Sequence, residues 1–215
     1  MYQKQPTIDQ YLISNCLFII DEFNERFDSV NNKEALKNIA DSGFSEADLT
    51  VRLGYPFRQM AKFNMQGPDT RDIVVDSKDF LIEVKFLRNF QSSGGKANKI
   101  TWKEIKKDFD WLFTEITKGN KGNRAFIIGW FNAVERLSQI VQLGKGKGMY
   151  PEIDEEKMRY FPFLNKNGSK TKDIFYMYPD AYEVIPIQIS GYAGRGANCM
   201  FFGKESDKFH IALYW

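Results

Sequence analysis

One histidine, His210, in 215 residues leaves no means of building a two-histidine zinc site, a histidine-rich metal centre or a paired-histidine phosphodiesterase site. Cysteine is nearly as scarce. Cys16 and Cys199 are the only two; they allow at most one disulfide and contain no CxxC, so a reduced cytoplasmic protein is the default expectation. Long apolar runs are missing as well. The stretch Tyr11 to Ile20 is broken by Ser14 and Asn15 and is too short to span a bilayer. It ends in Asp21-Glu22 without a small-residue cleavage site, which argues against a signal peptide and for a core helix, with no membrane partner. No internal repeat or low-complexity tract is present.

What remains is ordinary globular material. Apolar residues make up 43%, aromatic residues 15% and charged residues 27%, which supports a substantial core and argues against disorder. The length fits one domain, residues 1–215. A net charge of +2 hides an uneven distribution. Residues 1–90 carry 11 basic and 14 acidic side chains, a balance of −3, and residues 91–215 carry 19 and 14, a balance of +5. The window 85–124 holds ten basic residues against four acidic ones, an excess that suits a polyanion or a solvated helix face.

Thr7-Ile8-Asp9-Gln10 has the form of a capping box, and Leu12, Cys16, Ile19, Phe23 and Phe27 follow at helical spacing, so a first helix is predicted over about 8–28. A second begins after Ser45, carries Leu49 and Leu53, and stops near Gly54 and Pro56. Asp72-Ile73-Val74-Val75 and Phe80 to Phe86 are β-rich runs separated by the turn Asp76 to Asp79, and are expected to form an antiparallel hairpin. Gln91 to Lys96 reads as a loop. Thr101-Trp102-Lys103-Glu104 is another capping box; it opens a helix whose apolar stripe is Trp102, Ile105, Phe109, Leu112, Phe113 and Ile116, with Lys103, Lys107 and Asp110 on the other face. Arg124 to Phe131 is a nearly continuous apolar run, expected as a strand buried on both faces. A short helix over Asn132 to Leu143, a loop at Gly144 to Gly148, and short strands at 173–178, 183–189, 198–203 and 208–214 complete an α/β (α+β) domain with a mixed central sheet flanked by helices. Residues 145–215 are its β-rich elaboration, with antiparallel strands attached to the main sheet.

Alternation along Phe80 to Phe86 puts Glu83 and Lys85 on one face and Ile82, Val84 and Phe86 on the other. Asp72, at the start of the adjacent strand, is placed to stand beside Glu83, and two carboxylates so close repel unless a cation lies between them. Two carboxylates and one ammonium suit phosphodiester hydrolysis assisted by Mg2+ or Mn2+, a chemistry that needs no histidine. The plain alternative is an exposed antiparallel strand face on which Glu83 and Lys85 simply pair.

Gly67-Pro68-Asp69, Asp72-Ile73-Val74-Val75 and Ile82-Glu83-Val84-Lys85 resemble the motif of the PD-(D/E)xK nuclease superfamily, which includes restriction endonucleases, resolvases and repair nucleases. The resemblance covers about residues 45–131 and implies a restriction-endonuclease-like core running α-β-β-β-α-β. It implies metal ligation by Asp72, Glu83 and the Val84 backbone carbonyl, a catalytic Lys85, and Lys103 or Lys107 placed to approach a DNA backbone. Asp69 is the literal motif aspartate, but Asp72 heads a strand and is the preferred ligand. Glu46 is the candidate for an additional acidic residue from the preceding helix, and 55–65 is the place for the first strand. A DNA endonuclease of restriction, repair or phage defence is thus expected, as a homodimer if both strands are cut. An inactive nuclease-fold protein of the immunity or antitoxin kind, and a nucleic-acid-binding module using residues 85–124, are the alternatives.

Weaker signals resolve into structure. Cys16 is expected as a packed thiol and His210 as a solvent-facing strand residue. Gly191 to Gly196 lacks the following helix that a phosphate loop needs, so it reads as a hairpin loop, with Arg195 as a candidate phosphate contact. Tyr150, Tyr160 and Phe161, near Lys157 and Arg159, are the candidate exposed aromatics for stacking on bases.

Overall fold

A computed structural model of the chain describes residues 5–63, 71–88, 102–133, 137–146, 148–188 and 196–215. Helix α1 (Ile8–Arg26) starts where Gln10 Oε1 accepts the Thr7 N–H at 3.1 Å. It ends two residues short of the predicted limit, and Leu12, Cys16, Ile19 and Phe23 are buried as its periodicity requires. Helix α2 (Lys33–Gly43), capped by Asn32, was not foreseen, because only Leu36 and Ala40 on it reach the core. Helix α3 (Glu46–Gly54) is capped by Ser45 and Asp48, each receiving the other's N–H.

The strands follow as β1 (Lys62–Phe63), β2 (Ile73–Val75) and β3 (Phe80–Leu87). The turn between β2 and β3 is closed by Asp79 at φ 53°, a left-handed conformation that Asp tolerates better than most residues. Helix α4 (Trp102–Thr117) and strand β4 (Arg124–Phe131) come next. Thr101, the predicted cap of α4, and the loop Gln91 to Lys96 lie outside the described residues. Then come α5 (Leu137–Ile140), β5 (Gly144–Lys145), β6 (Glu152–Ile153), α6 (Glu155–Met158), β7 (Leu164–Lys166), β8 (Ile174–Tyr176), β9 (Val184–Ile187), β10 (Ala197–Phe202) and β11 (Phe209–Tyr214). Helix α5 is shorter than predicted; Gln142 turns to φ 53° immediately after it. Gly144-Lys145, expected as loop, pairs with β6.

One seven-stranded mixed sheet organises the fold, in the order β1-β2-β3-β4-β11-β10-β9. Every neighbouring pair is antiparallel except β3 and β4, and that parallel pair requires the crossover supplied by α4. Strands β9, β10 and β11 thus extend the main sheet as expected, with β11 lying between β4 and β10, whereas β8, expected to join it, pairs with β7 instead. Two smaller pairs, β5-β6 and β7-β8, stand apart from it.

Apolar side chains cover both faces. On one face α1 and α3 pack Leu12, Phe23, Leu49 and Leu53 against Ile82, Val84, Phe86, Ile127 and Ile211. On the other, Phe109, Leu112 and Phe113 of α4 pack with Phe126, Ile128, Phe161 and Tyr214. Each fully buried Leu or Phe contributes about 1.5–3 kcal/mol, so β4, buried along its whole length, is a main source of stability. Gly129 in β4 matters for the site. A Cβ there would lie 2.6 Å from Leu49 Cδ2, so the missing side chain is what lets α3 seat against the sheet.

Two expectations are corrected here. His210 is fully buried, not solvent-facing, because β11 is an interior strand with rings of Trp130, Tyr176 and Phe201 packed against the imidazole. Tyr160 and Phe161 are buried in the α4 layer and present no stacking surface; Tyr150 is half-buried. Cys16 and Cys199 are buried free thiols, and burial pushes both well above the ordinary thiol range. Among the described residues no helix is long and apolar enough to cross a membrane.

Candidate active site

Strand β2 pairs with β3 only as far as Ile73 opposite Ile82. Continuing that register by one residue sets Asp72 opposite Glu83. Beyond this point β3 has no strand partner on that edge among the described residues, and side chains accept its N–H groups. Val84 N–H donates to Asp72 Oδ2 at 2.7 Å, and Phe86 N–H donates to Glu46 Oε2 at 3.1 Å. Because N–H and C=O of one strand residue point to the same side, the Val84 carbonyl also faces this open edge, beside Asp72.

Glu83 and Lys85 share the face covered by α4. They are not the exposed strand face of the plain alternative, since their side chains retain only 11% and 22% of their accessibility. Lys85 Nζ stands 3.8 Å from Glu83 Oε1 and 3.8 Å from Asp108 Oδ2 of α4. Glu83 Oε2 accepts from Arg71 Nη1 at 3.0 Å, and the Arg71 guanidinium lies 4.2 Å over the ring of Trp111. Four carboxylates (Glu46, Asp72, Glu83 and Asp108) thus surround two cations, Lys85 and Arg71.

The electrostatics follow from that imbalance. Burial, reinforced by the neighbouring charges of Glu83 and Glu46, pushes the Asp72 carboxyl up to about 6, while the Val84 N–H and Lys85 oppose the rise. Burial also pushes Asp108 upward, with Lys85 pulling against it. For Lys85, burial disfavours the charged form, yet Glu46, Asp108, Glu83 and Asp72 together outweigh it and hold the ammonium above its ordinary range. Lys85 is therefore a cation at neutral pH.

Asp72, Glu83, Lys85, the Val84 backbone and Glu46 are brought together as the sequence suggested. Lys103 and Lys107 are exposed on α4, four residues apart and hence on one face. Asp69 and Arg195 lie outside the described residues. Sequence reasoning missed Asp108, Arg71 and Trp111. A signal existed for Asp108: it falls between Ile105 and Phe109 in the apolar stripe of α4, where a carboxylate is out of place unless a cation meets it.

Among the described residues, no group of three or more His, Cys, Asp or Glu side chains is so placed that it could hold a metal ion. The oxygens this edge could offer a divalent cation are those of Asp72 and Glu83, with the Val84 carbonyl. Among the described residues the cluster holds more carboxylates than basic groups, and a divalent cation would relieve that imbalance. A cavity of about 570 Å³ beside Gln139, Gln142 and Lys157 shares no lining residue with this cluster. No protein-family model, no curated protein and no solved structure matches the chain.

Proposed function

We propose that the chain is a metal-dependent nuclease of the PD-(D/E)xK kind, hydrolysing phosphodiester bonds in DNA, in restriction, repair or phage defence. The observation that carries this reading is Asp72 opposite Glu83 on adjacent strands, with Lys85 two residues on, beneath α4 and within an excess of negative charge. The element order α3-β1-β2-β3-α4-β4 is also the order that the resemblance to restriction-endonuclease-like cores implies.

In this reading Asp72, Glu83 and the Val84 carbonyl would hold Mg2+ or Mn2+. Bound there, it would supply Lewis acidity toward a phosphoryl group and a more acidic water near neutral pH. Lys85, held charged by its neighbours, offsets the negative charge that builds on the phosphoryl oxygens and does not serve as the proton acceptor. Glu46 holds the edge of β3 and so fixes the Val84 carbonyl next to Asp72. Lys103 and Lys107, exposed on the helix that covers the site, supply charge for the DNA backbone.

One observation favours a second reading. Arg71 already neutralises Glu83, and this arrangement suits an inactive nuclease-fold protein of the immunity or antitoxin kind, or a nucleic-acid-binding partner. Purified protein with Mg2+ or Mn2+ and a panel of DNA and RNA substrates decides between them. The nuclease reading expects cleavage that is abolished by EDTA and reduced at least a hundredfold in Glu83→Ala and Lys85→Ala. If no substrate is cut, or if the variants cut as well as wild type, the reading fails. DNA affinity that falls with salt and ignores Glu83→Ala would then favour the binding module.

A further inference from the structure

Asp108 is the carboxylate of this cluster that the motif does not use. Its side chain is 5% exposed, and Oδ2 has no hydrogen-bond partner among the described residues. A buried carboxylate of that kind is costly to keep unless a cation faces it. The cation is Lys85, whose Nζ is 3.8 Å from Asp108 Oδ2 and 3.8 Å from Glu83 Oε1. Both separations exceed hydrogen-bond reach. The ammonium is thus centred by charge from two sides, with its N–H groups committed to neither carboxylate.

The two flanking carboxylates have unequal duties. Glu83 is the one offered to a divalent cation, and a carboxylate turned toward such a cation weakens its hold on a neighbouring ammonium. Asp108 sits on α4, apart from the open edge of β3, and faces the Lys85 ammonium from the other side. Trp111, one turn further along α4, braces Arg71 in the same manner through its ring, so a single helix face sets both cations beside Glu83.

We infer that Asp108 is a positioning residue, which holds the Lys85 ammonium in place when Glu83 is engaged elsewhere; the inference rests on the nuclease reading above. Asp108→Asn preserves shape and removes the charge, and Asp108→Glu keeps the charge. In steady-state cleavage, Asp108→Asn is expected to lower kcat about tenfold to a hundredfold with KM within about twofold, since a misplaced catalytic group costs rate more than binding. Asp108→Glu is expected to recover most of that loss. A second readout needs no activity: in NMR spectra of the metal-free protein, a fixed Lys85 gives two distinct ε-methylene proton signals. They should merge in Asp108→Asn while the fold, read by the amide spectrum, is retained.

Wild-type kcat in Asp108→Asn, or unchanged Lys85 signals, overturns the inference and leaves the nuclease reading standing. If wild type cuts no substrate, the nuclease reading falls. In that case merged Lys85 signals in Asp108→Asn still support positioning by Asp108, and unchanged signals still overturn it.

Discussion

Asp72 and Glu46 occupy successive places along the open edge of β3, one accepting the Val84 N–H at 2.7 Å and the other the Phe86 N–H at 3.1 Å. They do for β3 what a strand partner would have done. Glu46 also adds to the burial that raises the Asp72 carboxyl, so the edge is structurally satisfied and electrostatically loaded at once. That combination is the one the proposed metal-dependent reading would use, and it is unusual for a sheet edge.

Glu46 therefore has a structural duty that can be separated from its charge. Glu46→Ala leaves the N–H of buried Phe86 without a partner and should cost about 1–3 kcal/mol. Glu46→Gln keeps an acceptor oxygen and should cost less than half of that. Urea unfolding at pH 7.5 in EDTA compares the two. Equal losses would show that Glu46 acts through its charge, with the Phe86 contact incidental.

Arg71 donates to Glu83 at 3.0 Å, so under the nuclease reading it would compete with a divalent cation for the same carboxylate. Arg71→Ala should tighten Mn2+ binding about tenfold, equivalent to about 1.4 kcal/mol, and Trp111→Ala should shift it in the same direction by less, since it only unbraces the guanidinium. Calorimetric titration of the metal-free protein measures both. Weaker binding in Arg71→Ala would mean that Arg71 holds Glu83 in its working position instead of competing for it.

The parts of this arrangement that were legible in the sequence are those set by local chemistry. The β2-β3 hairpin follows from two β-branched runs around a four-residue turn, and α3 from Ser45 and Asp48. The stripe of α4 and the buried run of β4 carry their own periodicity. Asp72, Glu83 and Lys85 could be placed because strand register alone sets which faces they share. What was not legible depends on which layer covers which. Asp108 meets Lys85 only because the crossover lays α4 over β3, and Tyr160 is buried only because the segment after β6 folds back onto α4. Likewise, β11 looks like a terminal edge strand in sequence, and its interior place in the sheet is a property of the topology. Helix α2 was missed because its two core residues are too few to show a period.

His210 carries the consequence of that interior place. Its Nε2 lies 3.0 Å from the Lys204 carbonyl, which can only accept, so Nε2 carries the proton in the neutral ring. Burial pulls the imidazole from 6.5 down to about 4, with the Lys204 carbonyl and Asp207 opposing. In the fold the ring stays neutral until about pH 4, whereas in the unfolded chain it takes up a proton near pH 6.5. Between these values the unfolded state binds more protons, so stability is complete above about pH 6.5 and is lost as the pH falls toward 4. At about 1.4 kcal/mol per unit the loss amounts to about 3 kcal/mol. His210→Gln, whose amide can still donate to Lys204 but does not titrate, should be less stable than wild type at pH 7.5 and should lose less between pH 6.5 and 4.5. Urea midpoints at pH 7.5, 6.0 and 5.0 test this. Parallel slopes for the two proteins would assign the acid sensitivity to the carboxylates and not to the buried ring.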